Sequence, residues 1–322
     1  MFSVDLVICT YNNARLLEQT LGSLMNQQVP PGIDWRILVV NNNCTDSTPH
    51  VVERFAQISP APLRIVTETE QGLTPARARG VRETNGDWIA FIDDDCLPAP
   101  DWISQAAAFG ASHPQCGAFG SRIRLQWESP PPSYVMRFPF AYAGKNHGDS
   151  PKRLPSVAGL GLVIRRTSLE ATGWTKNQLL PDRTGKRLIS GGDVEICFRI
   201  GSRFEIWYNP LCEISHIIPA HRFSRSYLSK MFFGLAASRH NSTALLWRGS
   251  YLSWLPFSAL YSLGILLRIV PQIILELPGP RSAAIGPAAA FSHFTGWWAA
   301  IIQMWRMDPG KRHLLLGAAK KG

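Results

Sequence analysis

The stretch GDWIAFIDDDC, residues 86–96, decides how the chain is read. The run from Trp88 to Ile92 is rich in β-formers and follows an Asn85-Gly86 turn signal, so it reads as a buried strand. Asp93, Asp94 and Asp95 then stand where that strand leaves the core. Three adjacent carboxylates repel one another, and something must offset the repulsion. Water and the capping of a helix starting near Pro100 would do so. A divalent cation, which takes hard oxygen ligands, would do so as well.

Outward from this strand, strands and helices alternate. Val4–Cys9, Arg36–Val40 and Leu63–Val66 read as strands. Ala14–Asn26 reads as a helix with Leu16, Leu17, Leu21, Leu24 and Met25 at helical spacing, and Ser47–Ile58 and Pro75–Glu83 as further helices. That order implies an α/β fold: a Rossmann-like, doubly wound, mostly parallel sheet. Ligands of such sheets bind at the carboxyl ends of the strands. The tips here are Thr10 to Asn13, Asn41 to Asn43 and Asp93 to Asp95, all polar and all on one edge. Residues 126–155, rich in Pro, Gly and aromatics, read as a loop or lid. Further on, Val157–Arg165, Glu205–Tyr208 and Glu213–His216 read as strands and Asp193–Ile200 as a helix.

The chain has 322 residues, and its 33 Lys+Arg against 23 Asp+Glu give a formal net charge of +10. A basic balance suits phosphate-bearing partners or anionic lipid, and no nucleic-acid motif is present. The six cysteines are scattered without a Cys-x-x-Cys pair, which points to reduced thiols rather than zinc. The first residues lack the basic start and long apolar run of a signal peptide, so the catalytic part is expected to face the cytoplasm. Two apolar runs, 249–275 and 282–305, approach the ~20 residues that cross a bilayer. Tyr251, Trp254, Trp297, Trp298 and Trp305 would serve as interfacial anchors, with Arg239 and Arg248 before the runs and Arg306, Lys311, Arg312, Lys320 and Lys321 after them. With a nearly neutral connector from Glu276 to Arg281, this reads as a membrane-associated hairpin of two transmembrane helices. Pro256, Pro271 and Pro287 leave open two interfacial or core helices instead. The expected division is 1–235 for the catalytic domain and 236–322 for a C-terminal helical region.

The segments VDLVICTYNNARLLEQTLGSL (4–24), WRILVVNNNCTDST (35–48), EQGLTPARARG (70–80), GDWIAFIDDDCLPAPDWI (86–103), SGGDVEICFRI (190–200) and WYNPLCEISHIIPAHR (207–222) together resemble the family 2 glycosyltransferases, which have the GT-A fold. The resemblance covers about residues 1–235. It implies an inverting transferase that takes a sugar from a nucleotide-diphosphate sugar to a hydroxyl of a glycan or lipid-linked acceptor, with Mn²⁺ or Mg²⁺ as cofactor. By that likeness Thr10, Tyr11, Asn41, Arg77, Asp93 and Asp94 would contact the nucleotide sugar, Asp93 facing the ribose. Asp95 and His216 would hold the metal, Asp193 would be the catalytic base, and Trp174 and Glu195 would lie on the acceptor side. Arg222 would cover the diphosphate as its loop closes. Each position also has a plainer reading: helix entry for Thr10 and Tyr11, a turn or cap for Asp94, an N-terminal helix acid for Asp193, fold support for Glu195, and burial for Trp174 and His216.

Three positions depart from the family pattern. Asn41 stands where an Asp usually reads the base, Ala78 where an Asn follows Arg77, and Gly192 where a Glu precedes the base. No Gln-x-x-Arg-Trp segment occurs, which favours addition of single sugars over processive synthesis. A nucleotidyltransferase would share the acidic sheet edge but needs a Gly-rich phosphate loop after the first strand, where this chain has TYNNAR. An inactive membrane scaffold of the same fold is the third reading, opposed by the retained Asp93, Asp95 and Asp193.

Overall fold

A computed structural model describes residues 2–180, 182–185, 188–276 and 286–318, with the backbone alone at 265–266, 268–276 and 286–287. Strands β1 (Phe2–Thr10), β2 (Ile33–Asn41), β3 (Leu63–Thr67) and β4 (Trp88–Asp93) pair in parallel in the order β3-β2-β1-β4. Their register is level at the carboxyl end: Thr10 lies beside Asn41, Asn41 beside Thr67 and Cys9 beside Asp93. The polar tips therefore share one edge.

Side chains alternate across the sheet. Leu6, Ile8, Ile37, Val39, Ala90 and Ile92 meet helices α1 (Ala14–Met25) and α2 (Thr48–Ala56) on one face. Val7, Leu38, Val40, Ile89 and Phe91 meet α3 (Leu73–Arg82) on the other. Helix α3 packs closely because Gly80 has no side chain; a Cβ there would sit 2.3 Å from Val7 Cγ1.

The second half departs from the expected pattern. After Asp95 come β5 (Cys96–Pro98), α4 (Trp102–Ser112), β6 (Cys116–Trp127), a helical turn α5 (Ser133–Met136), β7 (Lys152–Arg153), β8 (Leu162–Arg165), α6 (Arg166–Glu170), α7 (Gly192–Ile200) and β9 (Glu205–Ile218). Strand β8 inserts antiparallel between β4 and β6, and β9 runs parallel to β6 but antiparallel to β5 and β7. The sheet is mixed rather than mostly parallel. The two strands expected at 205–208 and 213–216 are one. Pro210 offers no N–H, and the strand accommodates it in a bulge where the register with β6 jumps from Ser121–Asn209 to Arg122–Glu213. The segment expected as a loop at 126–155 is partly packed, with Val135, Ala141 and Tyr142 buried. All six cysteines are free thiols.

The chain then continues through α8 (Arg225–Leu245), capped by the Ser224 hydroxyl, which accepts from Tyr227 N at 3.2 Å. Three helices follow: α9 (Tyr251–Glu276), α10 (Gly286–Arg306) and α11 (Pro309–Leu315). Among the described residues no helix is long and apolar enough to cross a membrane. The expectation of a chain held at the cytoplasmic face of a membrane by two transmembrane helices is corrected. Part of the apolar character serves helix packing, while Leu252, Leu260, Leu267, Phe291 and Trp305 are exposed. Trp254 and Trp297 are buried, Trp297 Nε1 donates to the Ser258 carbonyl at 3.0 Å, and Ala236, Trp297 and Ile301 form one core cluster. Residues 277–281 of the expected connector, and Lys320 and Lys321, lie outside the described residues.

At the crossing of α8 and α10, a Cβ added to Gly296 would lie 2.2 Å from the Phe233 carbonyl oxygen. Gly296→Ala is expected to destabilise the protein by about 1–3 kcal/mol, as overpacking does. Thermal unfolding followed by circular dichroism checks this, and an unchanged midpoint would contradict the close crossing.

Candidate active site

The strand tips surround a cavity of about 640 Å³, which Arg183, Gly185, Leu188, Pro219, His221 and Arg222 also line. The tip of β2 is built from its own amides. Asn41 Oδ1 accepts from Cys44 N at 2.7 Å, closing an Asx turn. Asn42 Nδ2 donates to the Glu68 and Glu70 carbonyls at 2.9 and 2.7 Å, while its Oδ1 accepts from Gly72 N at 2.8 Å. Asn42, not Asn41, lines the cavity. The expected base contact at Asn41 is corrected: its acceptor oxygen is taken by its own turn. Thr10 is buried at the cavity wall, and Tyr11 is exposed beside it.

The three adjacent aspartates have separate partners. Asp93, partly exposed, faces Arg77 with Oδ1–Nη2 at 3.5 Å. Asp94 Oδ1 accepts from Asn13 Nδ2 at 2.8 Å. Burial, and then the neighbouring Asp95 charge, push the Asp94 carboxyl up to about 7. Asp95 is buried, with Oδ2 3.4 Å from His216 Nε2 and 3.0 Å from Arg222 Nη1. Burial alone would raise the Asp95 carboxyl, but His216 and Arg222 hold it well below the usual carboxylate range.

Strand β9 delivers the histidine, because its register sets His216 opposite Cys96, next to the acidic tip. His216 Nδ1 lies 2.9 Å from the Tyr142 carbonyl, which can only accept, so Nδ1 carries the proton. Nε2, the other ring nitrogen, faces Asp95 Oδ2 across 3.4 Å. A carboxylate oxygen and an imidazole nitrogen suit Mn²⁺ or Mg²⁺. Among the described residues there is no cluster of three or more ligating side chains. Asp95 and His216 therefore fit an ion whose remaining ligands are water and substrate phosphate, which is how such ions are commonly held.

On the far side, Asp193 opens α7. Its Oδ2 accepts from Gly159 N at 2.8 Å and its Oδ1 from Val194 N at 2.9 Å, and it stays partly exposed. Between Asp193 and the acidic tip lies Arg77, buried and 5.2 Å from the Phe91 ring centroid. A Cβ on Gly159 would fall 2.7 Å from Arg77 Nη2. Arg77 lies behind the wall rather than lining the cavity, so its expected direct contact with the nucleotide becomes a contact with carboxylates.

Two acceptor-side expectations are corrected. Trp174 is fully buried in the core cluster that holds Leu169 and Ile196, so it offers no face to a sugar. Glu195 is fully buried too. Its carboxylate accepts from Leu179 N and Leu180 N and pairs with Arg199, and so fixes the loop before α7. The structure adds residues the sequence reading passed over. Arg183 lines the cavity, and Asp182 is buried against Arg77 at 3.3 Å. Both sit in LLPDRTG, a loop with no periodic signal. A larger cleft of about 1450 Å³ lies by α9 and α11, but Glu205 is the one carboxylate among the described residues lining it.

A strand-tip cavity with an aspartate–histidine pair at one end and a partly exposed aspartate beyond it accords with a glycosyltransferase of the GT-A type. The chain belongs to the family described as Glycosyl transferase family 2, whose model matches residues 5–173. It is 23% identical over 235 residues to a glucosyl-dolichyl phosphate glucuronosyltransferase of Haloferax volcanii, covering 70% of this chain and 72% of that one. It is 29% identical over 220 residues to a validoxylamine A glucosyltransferase of Streptomyces hygroscopicus subsp. limoneus, covering 61% of this chain and 47% of that protein. Among solved structures, the mannosyltransferase PcManGT of Pyrobaculum calidifontis, in complex with GDP-Man and Mn²⁺, superposes with a TM-score of 0.56 at 20% identity over 97% of this chain and 78% of that one. S. aureus TarS 1-349 with UDP-GlcNAc gives 0.53 at 13% identity over 99% and 91%. These likenesses establish the fold.

Asp95 has a depressed carboxyl, so its stabilising contribution is present above its unfolded value of about 3.9 and is lost as pH falls further. Asp95→Asn in metal-free protein is expected to lower stability at pH 7 by about 3 kcal/mol, the cost of breaking a buried pair. The deficit should begin to narrow below about pH 4 and close only as pH falls through the much lower folded value. Denaturant unfolding at pH 7 and at about pH 2 checks this, and equal deficits at both would refute the ion-pair assignment.

Proposed function

We propose that the protein transfers a sugar, with inversion, from a nucleoside-diphosphate sugar to a hydroxyl on a growing or lipid-linked glycan. The observation that carries the reading is the opposition of two ends across Arg77: Asp95, His216 and Arg222 on one side, Asp193 on the other. In this reading Thr10 and Tyr11 flank the base, and Asp93 accepts from the ribose. Asp94, holding Asn13, shapes the turn that faces the nucleotide.

Asp95 and His216 hold Mn²⁺ or Mg²⁺, which when bound offsets the charge of the diphosphate and stabilises it as leaving group. Arg222 and Arg183, both at the cavity wall, add positive charge on the same side. Asp193 takes the proton of the acceptor hydroxyl as its oxygen bonds the anomeric carbon. The bond from that carbon to the phosphate oxygen breaks, and the nucleoside diphosphate departs with the electron pair. Two backbone N–H groups, of Gly159 and Val194, hold the carboxylate of this base in place. Residues 1–235 form the catalytic unit, and the C-terminal region after it is helical among its described residues. The printed ligands of the structural relatives, GDP-Man and UDP-GlcNAc, support a nucleotide sugar as donor and leave base and sugar open.

Incubation with Mn²⁺, glycan acceptors and a panel of nucleotide sugars is expected to release nucleoside diphosphate, and EDTA to stop it. Release of pyrophosphate from a nucleoside triphosphate and a sugar phosphate would instead mark a nucleotidyltransferase, and no release would mark an inactive scaffold. Asp193→Asn is expected to lower kcat by about 10² to 10⁴, the usual contribution of a general base. Donor affinity by calorimetry should stay within about threefold, because Asp193 faces the acceptor. Transfer at the wild-type rate in this variant would remove Asp193 from the mechanism.

A further inference from the structure

The loop before α7 brings a carboxylate to a place that a helix side chain would normally fill. Asp182 is buried, its side chain 1% exposed, and its Oδ2 lies 3.3 Å from Arg77 Nη1. Its Oδ1 accepts from Arg183 N at 2.9 Å. The next carbonyl, of Arg183, accepts from Leu73 N at 2.9 Å, which ties the loop to the start of the helix that carries Arg77. Position 192, on α7 one residue before Asp193, is glycine in ordinary helical backbone, so no left-handed conformation requires it. Space requires it. A Cβ there would lie 2.7 Å from Asp182 Oδ2 and 3.3 Å from Thr74 Oγ1, a buried hydroxyl without a hydrogen-bond partner.

We infer that Asp182 is a positioning residue of the transferase site, filling from the loop the volume that an acidic side chain at position 192 would fill from the helix, and neutralising Arg77 there. This rests on the transferase reading above. Arg77 cannot shed its proton, and its other guanidinium nitrogen faces Asp93 across 3.5 Å. With Asp182 in place, Arg77 stays set back between Asp93 and the Gly159 backbone that holds Asp193. Without it, the uncompensated guanidinium draws on Asp93 and Asp193, and both ends of the reaction lose their alignment. The departure at Gly192 and the buried Asp182 are thus one feature. The negative charge has moved from the helix to the loop while its place in space is kept.

A four-way comparison tests this: wild type, Asp182→Gly, Gly192→Glu, and the double variant, with Asp182→Asn as an isosteric control. Asp182→Asn should fold, lower kcat about tenfold or more and raise donor KM as well, because Asp93 at the donor end and Asp193 at the acceptor end both lose alignment. Asp182→Gly should lose at least as much. Gly192→Glu alone should also lose activity, because two carboxylates then compete for one volume. The double variant returns one carboxylate to that volume and should recover kcat to within about threefold of wild type, a coupling that independent sites do not show. If either single variant fails to fold while the double folds and turns over, the shared volume is equally supported. Wild-type kcat in Asp182→Asn, or a double variant no better than Asp182→Gly, would overturn the proposal. A wild type that transfers no sugar from any donor would overturn the transferase reading instead. In that case the melting temperatures of the same four proteins still report whether the two positions share one volume, and additive shifts would overturn that.

Discussion

Arg77 carries a charge that it cannot lose into a buried position. Guanidinium groups stay protonated at any physiological pH, and an unpaired one costs several kcal/mol when buried. The surrounding structure answers that cost from separate segments. Asp93 comes from the end of β4 and Asp182 from the loop before α7, and the Asp193 charge lies close enough to be felt. The Phe91 ring lies beside the group. Gly159 and Gly192 leave room for the guanidinium and for its carboxylate partner. Asp93 at the strand tip and Asp182 in the loop before α7 are joined through this one side chain. Neither can be rearranged without the other.

The three neighbouring aspartates illustrate how environment separates chemically identical groups. Asp95 is kept ionised by a histidine and an arginine, whereas Asp94, one residue earlier, is pushed toward its neutral form by burial and by Asp95 itself. The repulsion expected between adjacent carboxylates is relieved by giving each a different partner: Arg77 for Asp93, Asn13 for Asp94, and Arg222 with His216 for Asp95. A cation bound with substrate would join a network that already distributes the charge.

The first four strands and their helices were legible in the sequence because apolar runs of the right length end at polar tips, and parallel pairing sets those tips level. The acidic tip, His216 and Asp193 followed from spacing and from the resemblance. The rest was hidden for identifiable reasons. β6 contains Gly117 and Gly120, which weaken a strand signal, and Asn209-Pro210 reads as a break although β9 passes through it. Asp182 and Arg183 sit in an aperiodic loop whose position only tertiary contacts define. Trp174 and Glu195 lay near the right segments, but whether a side chain points to core or cavity is not encoded in proximity along the chain. The apolar runs after residue 248 show the limit of composition, since helices that bury one another and helices that face lipid draw on the same residues.

The bulge in β9 sets the phase of everything after it. Trp207, before the bulge, and Ile214, after it, belong to the same core layer although one position is odd and the other even. Three residues, Pro210, Leu211 and Cys212, are looped out of the ladder with β6, and an odd number inverts the alternation of faces. Losing all three of these residues would leave the imidazole of His216 on its face, because Glu213 would then follow Asn209 directly and still meet Arg122, whereas losing two and closing the bulge would turn it to the opposite side of the sheet. The face that His216 shows is thus set by how the ladder with β6 is resumed, in a stretch of chain remote in sequence from the acidic edge.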